Sequence, residues 1–111
     1  MSLSVFSGTH VAGILTAIGS NDQGIIGMLG DSNFCLIVAR VLDDNGEGLW
    51  SDIFDGIRWV IDQGAQVINV SIDGGMTYQT SVNEYFRSVY EDMGRLVVAA
   101  AGNDGTRYVP L

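Results

Sequence analysis

The side chain best placed to do chemistry in this sequence is the amide of Asn103. It lies near the end of the stretch Leu96-Val97-Val98-Ala99-Ala100-Ala101-Gly102-Asn103-Asp104-Gly105. A short apolar run with β-branched residues, ended by Gly, reads as a strand buried on both faces. The Ala triplet lets a neighbour pack close to the backbone. Gly102 frees the chain to turn where the strand stops. Asn103 then lies at the carboxyl end of a parallel strand, where open α/β sheets place their sites. An amide held there can donate to an oxygen that gains negative charge. The plainer reading is a turn-forming Asn ahead of Asp104-Gly105.

His10 is the one histidine, inside the small apolar run Thr9–Ile18. Gly19-Ser20-Asn21-Asp22-Gln23-Gly24-Ile25 is an oxygen-rich loop, and Asp43-Asp44-Asn45-Gly46-Glu47-Gly48 is a turn or exposed loop. The second loop has an EF-hand start, but Phe54 stands where the closing bidentate Glu is needed. Gly24, Gly27 and Gly30 precede a strand rather than open a helix, and no phosphate-loop Lys-Ser/Thr pair exists, which disfavours a nucleotide site. Asn69-Val70-Ser71 spells a glycosylation sequon inside a strand expected to be buried. Cys35, the one cysteine, sits among Phe34, Leu36, Ile37 and Val38 and reads as a buried small hydrophobe.

The elements that must position these groups follow from periodicity. Thr9 to about Ile18 reads as a helix buried nearly all round, with Gly13 allowing close packing. Phe34–Val41 reads as a buried strand. Ser51 is a candidate N-cap, with Asp52 in the first turn of a helix whose stripe is Ile53, Ile57 and Val60. That helix stops near Gly64. Val67–Ile72 is the next strand, broken at Asp73-Gly74-Gly75. Val82, Phe86, Val89 and Met93 form a second helical stripe, stopped at Gly94. The ordered part is β-α-β-α-β. Crossovers of that length imply parallel strands and right-handed connections. The expected fold class is α/β, a three-layer parallel sheet flanked by helices. Three strands are few for such a sheet, so a partial domain is expected.

Composition narrows the partners. With 111 residues, 5 Lys plus Arg and 13 Asp plus Glu, the net charge is −8. Phosphate backbones need the opposite balance, which disfavours nucleic acid. An apolar fraction of 47% argues against disorder. No apolar run reaches membrane-spanning length. Met1–Ser7 has neither a basic region nor a cleavage pattern of a secretory leader, and the compartment stays open.

Three blocks together resemble the subtilisin-like serine proteases (subtilases, peptidase family S8). SGTHVAG at Ser7–Gly13 resembles their active-site His block, VINVSI at Val67–Ile72 a strand walling their cleft, and AAAGNDG at Ala99–Gly105 their oxyanion Asn. The order and approximate spacing are the family's. The likeness begins at Gly8, leaving 1–7 as a non-matching segment and 8–111 as a partial peptidase domain. The resemblance implies serine endopeptidase activity in the parent fold, acting on a peptide or protein substrate through an acyl-enzyme. It implies Asn103 as oxyanion donor. It implies a substrate-binding set of Gly46, Glu47, Gly48 and Trp50 on one wall and Ser71, Ile72, Asp73 and Gly74 on the other, with Ala100 and Gly102. Asp73 departs from the family's usual Gly and would crowd the primary pocket or favour basic side chains. The family is often secreted.

The resemblance also implies calcium in the full-length parent, with Gly19, Gln23 and Ile25 giving carbonyls and Asn21 its side-chain oxygen. The family's other ligands, including a bidentate carboxylate, are not among these residues, and the loop alone reads as an unliganded polar turn. Ser7 stands where the family has its general-base His. A hydroxyl cannot shuttle a proton near neutral pH. His10 matches the family's second, non-catalytic His and is expected to be a packed, hydrogen-bonded helix residue. The family's catalytic Asp and serine nucleophile are not within these residues. The isolated chain is therefore expected to be inactive, with the remainder of its own domain as a partner. The alternative is a non-catalytic relic that binds peptides or a partner protein.

Overall fold

The structure is a computed structural model that describes residues 3–30, 33–72, 79–103 and 105. The chain divides into two compact units, Met1–Leu49 and Trp50–Leu111.

The first unit is built on one helix, α1 (Leu3–Thr16). A helix leaves its last carbonyls without intrahelical donors. Here the returning chain supplies them: Gly27, Met28 and Leu29 donate their N–H groups to the carbonyls of Ala17, Ile14 and Leu15 at 2.8–3.0 Å. The oxygen-rich loop 19–25 is thereby closed at its base. The expectation of a helix buried nearly all round fails. Ile14 is 52% exposed, His10 is exposed, and nothing lies within 4 Å of a side chain built at Gly13. Phe34–Val41 forms no strand. Pairing is what makes a strand, and among the described residues this stretch has no strand partner. Phe34, Leu36 and Val38 are exposed, as is Cys35, contrary to the burial expected of it.

The second unit runs α2 (Trp50–Asp62), β1 (Val67–Val70), α3 (Thr80–Glu91), β2 (Leu96–Ala99). The helix stripes are those in the sequence: Ile53, Ile57 and Val60 of α2 and Val82 and Val89 of α3 are buried. Ser51 is not the N-cap, since the helix already includes Trp50, but Asp52 does occupy the first turn. Both helices end where sequence places a stop, at Gly64 (φ +97°) and Gly94 (φ +62°), a backbone region that favours Gly.

β1 and β2 pair parallel in the register Val67↔Leu96, Ile68↔Val97, Asn69↔Val98, Val70↔Ala99. Side chains alternate across a strand. Ile68 and Val70 are therefore on one face, and both are buried. Val67, Asn69, Leu96 and Val98 lie on the other face, and all are exposed. α2 and α3 touch through Phe54 and Tyr85, whose rings stack at 4.1 Å. The fold is α/β with a parallel strand pair, and the two-sided burial expected of its last strand is absent.

Candidate functional site

Parallel pairing brings two of the expected segments together. Ser71 and Ile72 follow the end of β1, while Ala100, Gly102 and Asn103 follow the end of β2. The ladder continues one step further, with Ala100 N–H donating to the carbonyl of Val70 at 3.3 Å. Both segments thus leave the sheet at its carboxyl edge, side by side. Gly102 takes φ +77°, so the chain turns there without a side-chain penalty. Asn103 is exposed just past that turn. The arrangement can offer a side-chain donor and strand-end backbone to an extended ligand. Asp73 and Gly74 lie outside the described residues.

Asn69 is not buried as expected. Its side chain is exposed, and its amide donates to Ser71 Oγ at 2.8 Å. The bond ties a strand side chain to the first residue of the edge.

Trp50 opens α2 half-buried and is backed by a row of rings. Its centroid is 5.8 Å from Phe54, which stacks on Tyr85, and Phe86 meets both edge-on. Tyr85 Oη donates to the carbonyl of Phe54 at 2.9 Å, linking α3 to α2. Desolvation pushes the Tyr85 hydroxyl above the ordinary tyrosine range, with Asp55 adding to the rise and Arg58 opposing it. Sequence reasoning missed this cluster. Its signal was the Trp50/Phe54 spacing of four and the adjacent Tyr85-Phe86 pair.

Gly46, Glu47 and Gly48 belong to the first unit, in a loop organised by Asp43. Asp43 Oδ1 accepts the backbone N–H groups of Asn45 and Glu47, both at 2.9 Å. Its Oδ2 accepts the Asn45 side-chain amide at 3.3 Å. In the main chain, Asp43 N–H donates to the Glu47 carbonyl at 2.8 Å, and Gly46 N–H donates to the Asp43 carbonyl at 3.1 Å. The Glu47 N–H is the main cause that holds the Asp43 carboxyl below its ordinary value, with further help from Asn45 and Gly46. Arg40 pairs with Asp44 and also donates to the Leu42 carbonyl at 3.2 Å.

The calcium candidates lie in the loop that α1 closes. Asn21 Oδ1 already accepts the Gln23 N–H at 3.1 Å, forming a local turn. Ser20 and Asp22 adopt positive φ, at 59° and 55°. Calcium takes 6–8 oxygens, usually with carboxylates among them. Gly19, Asn21, Gln23 and Ile25 offer neutral oxygens for part of a shell, and do not make a complete site by themselves. Among the described residues no group of three or more His, Cys, Asp or Glu could hold a metal.

Ser7 and His10 both lie on α1. His10 is exposed rather than packed, which corrects the expectation from its apolar neighbours. Among the described residues no helix is long and apolar enough to cross a membrane.

Comparison with known proteins places these segments in one lineage. The profile of the Subtilase family, peptidase S8, matches residues 8–110. Halolysin of Haloferax mediterranei is 47% identical over 104 residues, covering 94% of this chain and 19% of that protein. The thermophilic serine proteinase of Bacillus sp. (strain AK1) is 44% identical over 99 residues, covering 89% and 24%. Thermitase of Thermoactinomyces vulgaris is 39% identical over 98 residues, covering 88% and 34%. The chain spans about a third or less of the length of these relatives. No solved structure matches. With the profile running from the glycine before Thr9 to Pro110, the chain belongs to the subtilase family.

Proposed function

We propose that this chain corresponds to an internal part of a subtilisin-like serine endopeptidase domain, a three-layer sheet flanked by helices in the complete fold. The parent activity is cleavage of peptides or proteins through a serine acyl-enzyme. Asn103 donates to the developing oxyanion. By family likeness, in the complete fold Gly46–Gly48 with Trp50 would give one wall, and Ser71–Gly74 with Ala100 and Gly102 the other, of a groove for an extended substrate that pairs by its backbone. Residues 8–111 form that partial domain, and 1–7 lie outside the likeness. Calcium belongs to the complete protein, with Gly19, Asn21, Gln23 and Ile25 giving part of its shell. Nucleic acid is not a partner, on the net charge of −8.

The observation that carries this reading is the juxtaposition of Ser71-Ile72 with Ala100–Asn103 at one sheet edge, in a chain that matches the family over 8–110. On this reading the family's serine nucleophile lies outside these residues, and Ser7 stands at the position of its general-base His. An oxyanion donor without them gives weak residual acceleration. A second reading, a non-catalytic relic that binds peptides or a partner, draws on that same Ser7.

Two measurements test the proposal. The chain alone should not be labelled by a fluorophosphonate; stoichiometric labelling of a serine overturns the claim of inactivity. Residues 8–110 exchanged into thermitase in place of the matching stretch should retain hydrolysis of a chromogenic peptide substrate. A folded but inactive chimera overturns the catalytic reading and favours the relic.

A further inference from the structure

We propose that Asp43 is the positioning residue of the Gly46–Gly48 wall, its carboxylate fixing the main chain of that wall for pairing with an extended peptide. The proposal rests on the reading of Gly46–Gly48 as part of a substrate groove.

Asp43 is bonded to the loop five ways at once. One carboxylate oxygen takes two backbone N–H groups, from Asn45 and Glu47, and the other takes the Asn45 side chain. Its own N–H and carbonyl engage Glu47 and Gly46. Both main-chain groups of Glu47 thus point at Asp43, which fixes the orientation of the peptide units on either side of Glu47. An incoming strand gains affinity from main-chain bonds, and a wall already held in one geometry loses less entropy on pairing. Charge-assisted bonds to an ionised carboxylate hold it more strongly than a neutral side chain would. The charged residues within four positions of Asp43 in the chain are Arg40, Asp44 and Glu47. Arg40 pairs with Asp44, and the carboxylate of Asp43 accepts from N–H groups of its own loop. The depressed Asp43 carboxyl sets the direction of the pH effect: wall order is complete above the ordinary carboxylate pKa and is lost as pH falls through the lowered value.

The test uses the ¹⁵N-labelled chain and a blocked tetrapeptide, acetyl-Phe-Ala-Ala-Leu-amide, followed at the Gly46 and Gly48 amide signals. The unaltered chain should bind, and its affinity should fall with acid in step with the Asn45 and Glu47 amide shifts. Asp43→Asn and Asp43→Ala should weaken binding at least tenfold and abolish that acid dependence, while core signals such as Val89 stay in place. Asp44→Asn should keep both. If Asp43→Asn releases the two amides yet binding is unchanged, the residue is merely structural and the proposal is overturned. If the two amides do not respond to Asp43→Asn, the carboxylate does not hold the wall, which also overturns it. Failure of the unaltered chain to bind overturns the groove reading itself, and the positioning role falls with it.

Discussion

Val89 and Val98 are the same side chain in opposite circumstances, and truncating each separates core from surface. Val89 on α3 is completely buried, whereas Val98 on β2 is 47% exposed. Val→Ala removes two carbons. At about 0.8 kcal/mol per buried carbon, Val89→Ala loses about 1.6 kcal/mol of transfer energy. The space left behind raises the cost to about 2–3 kcal/mol. In a unit of this size that lowers Tm by about 8–24 °C. Val98→Ala loses about half the transfer term plus some strand preference, at most about 1 kcal/mol. Urea unfolding followed by far-ultraviolet circular dichroism gives both differences, provided the m-values agree. Equal costs, or a larger cost at Val98, would mean that the second sheet face is covered in the folded chain and would refute the one-sided core.

Three further outcomes follow from close contacts and single bonds. In Gly27→Ala the new Cβ would collide with Ala17 N and lie 2.8 Å from Ala17 O, so the loop closure at the end of α1 must open; amide exchange of Gly27–Leu29 should accelerate. Tyr85→Phe removes the donor to Phe54 and should cost about 0.5–1.5 kcal/mol at neutral pH. The Tyr85 hydroxyl titrates above its unfolded value, so its contribution is complete below pH ~10 and is lost as pH rises through the raised pKa; Tyr85→Phe should lack that alkaline loss in a stability–pH profile. Asn103→Ala in the thermitase chimera should lower kcat by about 10²–10³-fold with little change in KM; that magnitude is the one known for the subtilisin oxyanion asparagine and is not worked out from this chain.

The second unit was largely legible in the sequence, and the first was not. Ile53, Ile57 and Val60 recur at helical spacing, and Gly64 and Gly94 punctuate, because those signals are local. Phe34–Val41 has the composition of a strand but not the structure, since a strand requires a neighbour that composition cannot supply. The same reason misplaced Cys35 and His10: apolar neighbours in sequence are not a packing partner in space. At the candidate site, strand ends and family likeness single out Asn103, Ser71 and Ile72, whose catalytic and binding roles are the proposal made above. The five bonds of Asp43 were missed because an Asp two residues before an Asn reads as any polar turn until the acceptor geometry is seen. Likewise, the Tyr85–Phe54 bond joins residues 31 apart, beyond any local pattern.

The uncovered sheet face bears directly on what Asn103 can do. An oxyanion donor is effective because it is already aimed when charge develops, and that aim depends on the rigidity of the strand behind it. Among the described residues β2 is paired on one edge, toward β1, and Leu96 and Val98 face outward. An open hollow of 240 Å³ lies beside it, lined by Asn83, Phe86 and Tyr90 of α3 with Leu96, Val97 and Ala99. Elements with few buried contacts open locally at low free energy. An amide at the tip of such a strand should be aimed less tightly, which would lower its electrostatic effect. On the reading proposed above, whatever covers Leu96 and Val98 in the complete fold therefore contributes to catalysis without touching substrate. Its contribution is the stiffness of β2, and Asn103 in the isolated chain should be more mobile than the same residue in the chimera.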